Sequence, residues 1–106
     1  MRAIVAARLD KVRPALVLTR SAVLGKRQLV TIAPITSTIR GLPSEVLVGP
    51  RNGLDHESAI TCDNIATVTA DRLGDTIGLL FDDQEFALAR AIADAFDLTL
   101  EPEAWS

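Results

Sequence analysis

Apolar and polar side chains alternate from the start of the chain: Ala3, Val5, Ala7 and Leu9 are interleaved with Arg2, Ile4, Ala6 and Arg8. A period of two predicts a β-strand with one face inward and arginines at both ends of the other. Asp10-Lys11-Val12 predicts a short turn, and Ala15–Thr19 a second strand apolar enough to be buried on both sides. A polar connection, Arg20–Lys26, holds Gly25 and leads to a third predicted strand, Gln28–Ile35, with Val30 and Ile32 on one face. Pro34 has no N–H to donate, so the ladder is expected to break near the end of that strand. Thr36-Ser37-Thr38 and Arg40-Gly41 form a hydroxyl-rich loop before Leu42-Pro43. Further short strands are predicted at Glu45–Val48, Ser58–Cys62, Ile65–Val68 and Thr76–Leu80. Turn-forming residues separate them at Gly49-Pro50-Arg51-Asn52-Gly53, Asp63-Asn64 and Asp71-Arg72-Leu73-Gly74.

The period then becomes helical. Leu88, Ala89, Ile92, Ala95 and Phe96 fall on one face, with Arg90, Asp94 and Asp97 largely off it. Asp82 and Glu85 stand at capping-box spacing, and Phe81 and Phe86 at that of a hydrophobic staple. Beyond Leu98 the segment 99–106 is acidic and contains the helix breaker Pro102. Many short strands closed by one helix predict a mainly β fold with a C-terminal helix, a small curled antiparallel sheet or half-open barrel. The expected organisation is a single domain over residues 1–98 with a short acidic tail.

Length and composition narrow the picture further. A chain of 106 residues forms one domain that buries roughly 60 to 65% of its unfolded surface. No apolar run is long enough to span a membrane, and no signal-peptide pattern opens the chain, so a cytoplasmic protein is expected. Cys62, the single cysteine, cannot form an internal disulfide and fits a reducing compartment; with one histidine it argues against a protein-only zinc site. Charge is unevenly divided. Residues 1–51 carry nine Lys and Arg against Asp10 and Glu45, or +7, whereas residues 52–106 carry Arg72 and Arg90 against twelve carboxylates, or -10. This predicts either a polyanion-binding face built from the first half or opposite charges paired across the folded surface.

Val12-Arg13-Pro14-Ala15-Leu16-Val17-Leu18 sets an arginine and a proline against an apolar run. Proline belongs at the first position of a strand, which leaves Arg13 at the rim, where its permanently charged five-donor fork can meet an anion. The competing reading is a surface arginine beside a turn. Ala33-Pro34-Ile35-Thr36-Ser37 is the expected partner segment. Nucleophile elbows, phosphate loops, dinucleotide fingerprints and zinc-protease motifs are absent. His56, the sole histidine, sits in a turn between Asp55 and Glu57, where a solvated side chain is expected rather than a catalytic base.

Arg13-Pro14-Ala15-Leu16-Val17-Leu18, Ala33-Pro34-Ile35-Thr36-Ser37, Leu42-Pro43-Ser44-Glu45-Val46, Gly53-Leu54, Ser58-Ala59-Ile60-Thr61-Cys62-Asp63-Asn64-Ile65 and Leu73-Gly74, taken in order, resemble the MazF/PemK toxins of bacterial toxin-antitoxin pairs. The resemblance implies a CcdB/PemK-type barrel, related in shape to Src-homology-3-like barrels. It implies a homodimer that cuts single-stranded RNA at short sequence motifs without a metal or other cofactor, and a cognate MazE-like antitoxin that blocks the groove with an extended acidic segment. The family's catalytic arginine and threonine match Arg13 and Thr36. Ser37, Thr38 and Arg40 are then expected to contact RNA phosphates or bases, although the hydroxyls can equally satisfy loop backbone. Two departures stand out. The chain opens Met1-Arg2-Ala3-Ile4 where many members have Gly-Asp-x-Trp, and the first two strands are joined only by Asp10-Lys11-Val12, which leaves the site more open. A second reading is a non-enzymatic, CcdB-like poison of DNA gyrase, suggested by Trp105 near the C-terminus.

Overall fold

The computed structural model describes residues 1–20, 28–99 and 101. The connection around Gly25, and Pro102 and Trp105 of the tail, lie outside the described residues. Seven strands form one antiparallel sheet: β1 (Arg2–Arg8), β2 (Val12–Val17), β3 (Leu29–Thr36), β4 (Glu45–Val48), β5 (Ser58–Thr61), β6 (Ala66–Thr69) and β7 (Leu73–Leu80). The helix α1 spans Glu85–Ala95. Strand order is β4-β5-β3-β2-β1-β7, with β6 also paired to β3. The mainly β architecture closed by one C-terminal helix agrees with the periodicity.

β3 is the centre of this arrangement. One edge pairs with β2, while the other pairs first with β6, over Leu29–Ile32, and then with β5, at Ile35 and Thr36. Ala33 and Pro34 lie where the neighbour changes, so the missing N–H of Pro34 falls where that edge has no ladder. Pro14, in contrast, does not open its strand: β2 begins at Val12 and pairs with β1 from there. It meets β3 only from Ala15, so Pro14 is accommodated where one strand edge is unpaired. The turn between β1 and β2 is accordingly one residue earlier than expected, at Leu9–Lys11.

β1 also differs from the simple alternation. Val5 and Ala7 face a cluster with Ala15, Val17, Val30 and Ile32, but Ile4, expected outside, is fully buried in a second cluster on the opposite face. That cluster unites Ile4, Leu16, Ile35, Ile60 and Leu80 with Leu88 and Ala91 of α1. The curl of the sheet brings Val68 of β6 and Leu73 of β7 against the first cluster, so both faces of β1 are covered. The helix buries Leu88, Ala91 and Ala93, whereas Ala89 is exposed and Phe96 is 57% exposed.

The helix start is also built differently from the expected capping box. A 3₁₀ turn, Asp82–Gln84, precedes α1; Asp82 binds the N-terminal amine and Glu85 the Arg2 side chain. Phe86 is 69% exposed, so no staple forms with Phe81. Gln84 does the tying instead, accepting the Phe81 N–H at 2.9 Å and the Asn52 side-chain N–H at 2.7 Å. Asn52 is buried in the 3₁₀ turn Pro50–Asn52, donates to the Leu79 carbonyl and accepts the Gly49 N–H. Gly53 follows at φ +89, and Gly78 of β7 lies so close that an added Cβ would overlap the Asn52 carbonyl.

A side chain at Gly78 therefore has no space without moving backbone. Gly78→Ala is expected to destabilise the fold by about 3 kcal/mol or more, read as a lower urea midpoint at unchanged slope. A midpoint equal to wild type would show that the two backbones separate readily.

Candidate active site

The register of β2 against β3 ends at Ala15 opposite Pro34. Arg13 and Thr36 each lie two residues beyond that last ladder pair and line the same two clefts. The strands are unjoined there and the gap is a cleft. A volume of about 420 Å³ on one side is lined by Asp10, Arg13, Thr36, Thr38, Arg40 and Glu45 among others. One of about 520 Å³ on the other side is lined by Lys11, Arg13, Thr36, Ser37, Thr38 and His56 among others. Arg13, Thr36 and Thr38 thus face both clefts, Arg40 the first and Ser37 the second.

Arg13 is half-buried and its guanidinium is gripped by a neighbour that local sequence reading treated only as a turn residue. Arg13 Nε donates to Asp10 Oδ1 at 2.9 Å and Nη2 to Oδ2 at 3.0 Å, a bidentate pair across the β1–β2 turn. The hydrogen bond from Arg13 is the main reason the Asp10 carboxyl is held well below its ordinary range. Reciprocally, the Asp10 hydrogen bond raises the Arg13 pKa further above its ordinary value. The pair uses two of five guanidinium N–H groups and leaves three for an anion. The i, i+3 spacing of Asp10 and Arg13 across a tight turn was the signal available in the sequence.

Thr36 ends β3 half-buried, and its Oγ1 accepts the Thr38 N–H at 3.1 Å. That bond folds the loop back on itself and leaves the hydroxyl hydrogen to donate elsewhere. Glu45 orders the rest of the loop by accepting the backbone N–H groups of Arg40 and Leu42, with Gly41 between them at φ +74. Its place at the first position of β4 gave no hint of this role. Asp63 and Asn64, expected as turn residues, also line the first cleft; Asp63 accepts the buried Ser44 hydroxyl at 2.6 Å. His56 is exposed at the rim of the second cleft, and its carbonyl accepts the Ser58 hydroxyl at 3.1 Å.

The fold and this cleft together define a small curled β-sheet protein with an arginine fork and a threonine hydroxyl at an open cleft. A sequence model described as PemK-like, MazF-like toxin of type II toxin-antitoxin systems matches residues 3–96, and the chain belongs to that family. It is 52% identical over 98 residues to Endoribonuclease MazF3 of Mycobacterium tuberculosis, covering 92% of this chain and 95% of that protein. Probable endoribonuclease MazF5 of the same organism is 35% identical over 80% of this chain and 79% of its own length. The structure superimposes on the M. tuberculosis toxin MazF-mt6 with a TM-score of 0.91 and 51% identity, covering 92% of this chain and 99% of that one. A mycobacterial endoribonuclease solved with its cognate antitoxin gives a TM-score of 0.82 at 26% identity, over 95% and 98% of the two chains.

The Asp10–Arg13 pair has a testable acid signature. A carboxyl whose pKa is depressed by folding adds stability above its unfolded value, ordinarily 3.8, and loses it as pH falls further. The stability difference between wild type and Asp10→Asn should therefore be constant from neutral pH to about pH 5 and shrink in more acid solution. Urea midpoints across a pH series check this; a difference that ignores pH would mean that the pair does not persist in solution.

Proposed function

We propose that the chain is an endoribonuclease toxin that cleaves single-stranded RNA at short sequence motifs, using the RNA's own 2'-hydroxyl and no metal, and that a cognate antitoxin neutralises it. The observation that carries this reading is that Arg13 and Thr36, just past the last β2–β3 ladder pair, line the same two clefts. Its relatives named as endoribonucleases, at 52% and 35% identity, support the reaction class.

The chemistry follows from what the two residues can supply. The 2'-oxygen attacks phosphorus as the bond to the 5'-oxygen breaks, giving a 2',3'-cyclic phosphate and a 5'-hydroxyl. The proton lost from the 2'-hydroxyl is balanced by one gained on the leaving oxygen. Negative charge builds on the non-bridging oxygens, where the free N–H groups of Arg13 meet it without reorganisation. Asp10 holds the guanidinium in place and favours its charged form, so Arg13 acts as a charge clamp and not as the base. Thr36 donates its hydroxyl to the same phosphate and helps to hold the nucleophile in line. Ser37, Thr38 and Arg40 border the clefts on either side and contact the neighbouring nucleotides.

Purified protein should cut single-stranded RNA in chelator and leave 2',3'-cyclic or 3'-phosphate and 5'-hydroxyl ends. Cleavage that survives a 2'-deoxy substitution at the target nucleotide would rule out the mechanism. Arg13→Ala should lower the rate by about 10³-fold and Thr36→Val by about 10²-fold, with little change in melting temperature. Full activity in either variant would remove that residue from the site.

A further inference from the structure

The fate of each positive charge in the folded chain separates two groups. Among the described residues, the N-terminal amine, Arg2, Arg13 and Arg51 are in ion pairs, with Asp82, Glu85, Asp10 and Asp83 respectively. Arg8, Lys11, Arg20, Arg40, Arg72 and Arg90 are in none. Arg40 lines the first active-site cleft. Arg8, Lys11 and Arg72 gather around a third cleft of about 490 Å³ behind the β1–β2 turn. This cleft adjoins the other two: it shares Leu9 and Asp10 with the first and Lys11 and Val12 with the second.

We propose that this third cleft carries the phosphodiester backbone of single-stranded RNA away from the Arg13–Thr36 site, with Arg8, Lys11 and Arg72 as its phosphate contacts. The inference rests on the endoribonuclease reading and extends it to nucleotides beyond the cut. Arg8 and Arg72 are positioned by backbone carbonyls: Arg8 Nη2 donates to the Asp71 carbonyl at 2.9 Å, and Arg72 Nη1 to the Arg8 carbonyl at 3.3 Å. Each bond uses one N–H and orients the fork without neutralising it. The Asp71 carboxylate lies near both guanidinia and offsets one of the three charges, while Asp10 is already engaged by Arg13. The remaining excess is positive. Among the described residues, Leu9 and Val12 are the only apolar side chains lining the cleft, which suits a charged backbone better than the side-chain pockets an extended peptide requires.

Counterion release provides the test. Binding of 2'-O-methylated oligonucleotides of mixed sequence, a trimer and a dodecamer, would be followed by fluorescence anisotropy over a potassium chloride series. For the dodecamer, the Arg8→Gln/Arg72→Gln double variant should show a log–log salt slope shallower than wild type by about 1.4, with affinity down about tenfold at low salt. The trimer, too short to leave the site, should lose less than about twofold. Lys11→Gln, in an exposed turn, should flatten the dodecamer slope by about 0.7 and guards against a double variant that fails to fold. Slopes equal to wild type in both variants, or equal losses for trimer and dodecamer, would overturn the backbone path. A loss confined to a polyglutamate ligand would overturn it in favour of an acidic peptide. Wild-type cleavage in chelator with unaltered slopes would remove this path alone, whereas no cleavage of any RNA would remove the function on which it rests.

Discussion

The β2–β3 ladder stops at Ala15 and Pro34, and the proposed site exists because it stops there. Had the pairing continued, Arg13 and Thr36 would be cross-strand neighbours tied by backbone hydrogen bonds, with no gap between them for a ligand. Two prolines mark this end of the ladder: Pro14 just before the first residue of β2 that pairs with β3, and Pro34 where β3 exchanges β6 for β5. The rest of the sheet supports that divergence. β5 holds the far edge of Thr36, β1 holds the far edge of Arg13, and the apolar layer beneath contains Leu16, Ile35 and Ile60.

A rim arginine in water is mobile, and its side-chain entropy opposes productive contact with a phosphate. Asp10 removes much of that freedom by gripping the guanidinium from the turn side, at the cost of a compensating negative charge beside the cleft. The short β1–β2 connection makes this possible, because only two residues separate the two partners. It also leaves the site uncovered, so that three clefts meet around the same turn. A long overhanging loop would divide them.

Of the two sequence-based expectations about charge, the pairing of opposite charges is seen on one part of the surface. The acidic start of the helical region pairs with Arg2, Arg51 and the N-terminal amine. Arg8, Lys11, Arg40 and Arg72, which no carboxylate pairs, border the clefts. The separation is geometric: Asp82, Asp83 and Glu85 lie at the far end of β1 from the turn, next to Arg2.

Local pattern in the chain determined the seven strands to within a few residues, the helix, the break near Pro34 and a rim position for Arg13, because each of these depends on residues close in sequence; the candidacy of Thr36 came from the family resemblance. Tertiary structure decided what depends on register between distant segments. It placed Ile4 in a core that alternation assigned to the outside, replaced the Asp82–Glu85 cap by the Asn52–Gln84 contact, and exchanged Ala89 for Ala91 on the buried helix face. It also gave Glu45 its role in the loop and distributed the unpaired cations over adjoining clefts. Local pattern specifies which side chains can be buried or charged; only the folding of the sheet around β3 specifies which of them meet.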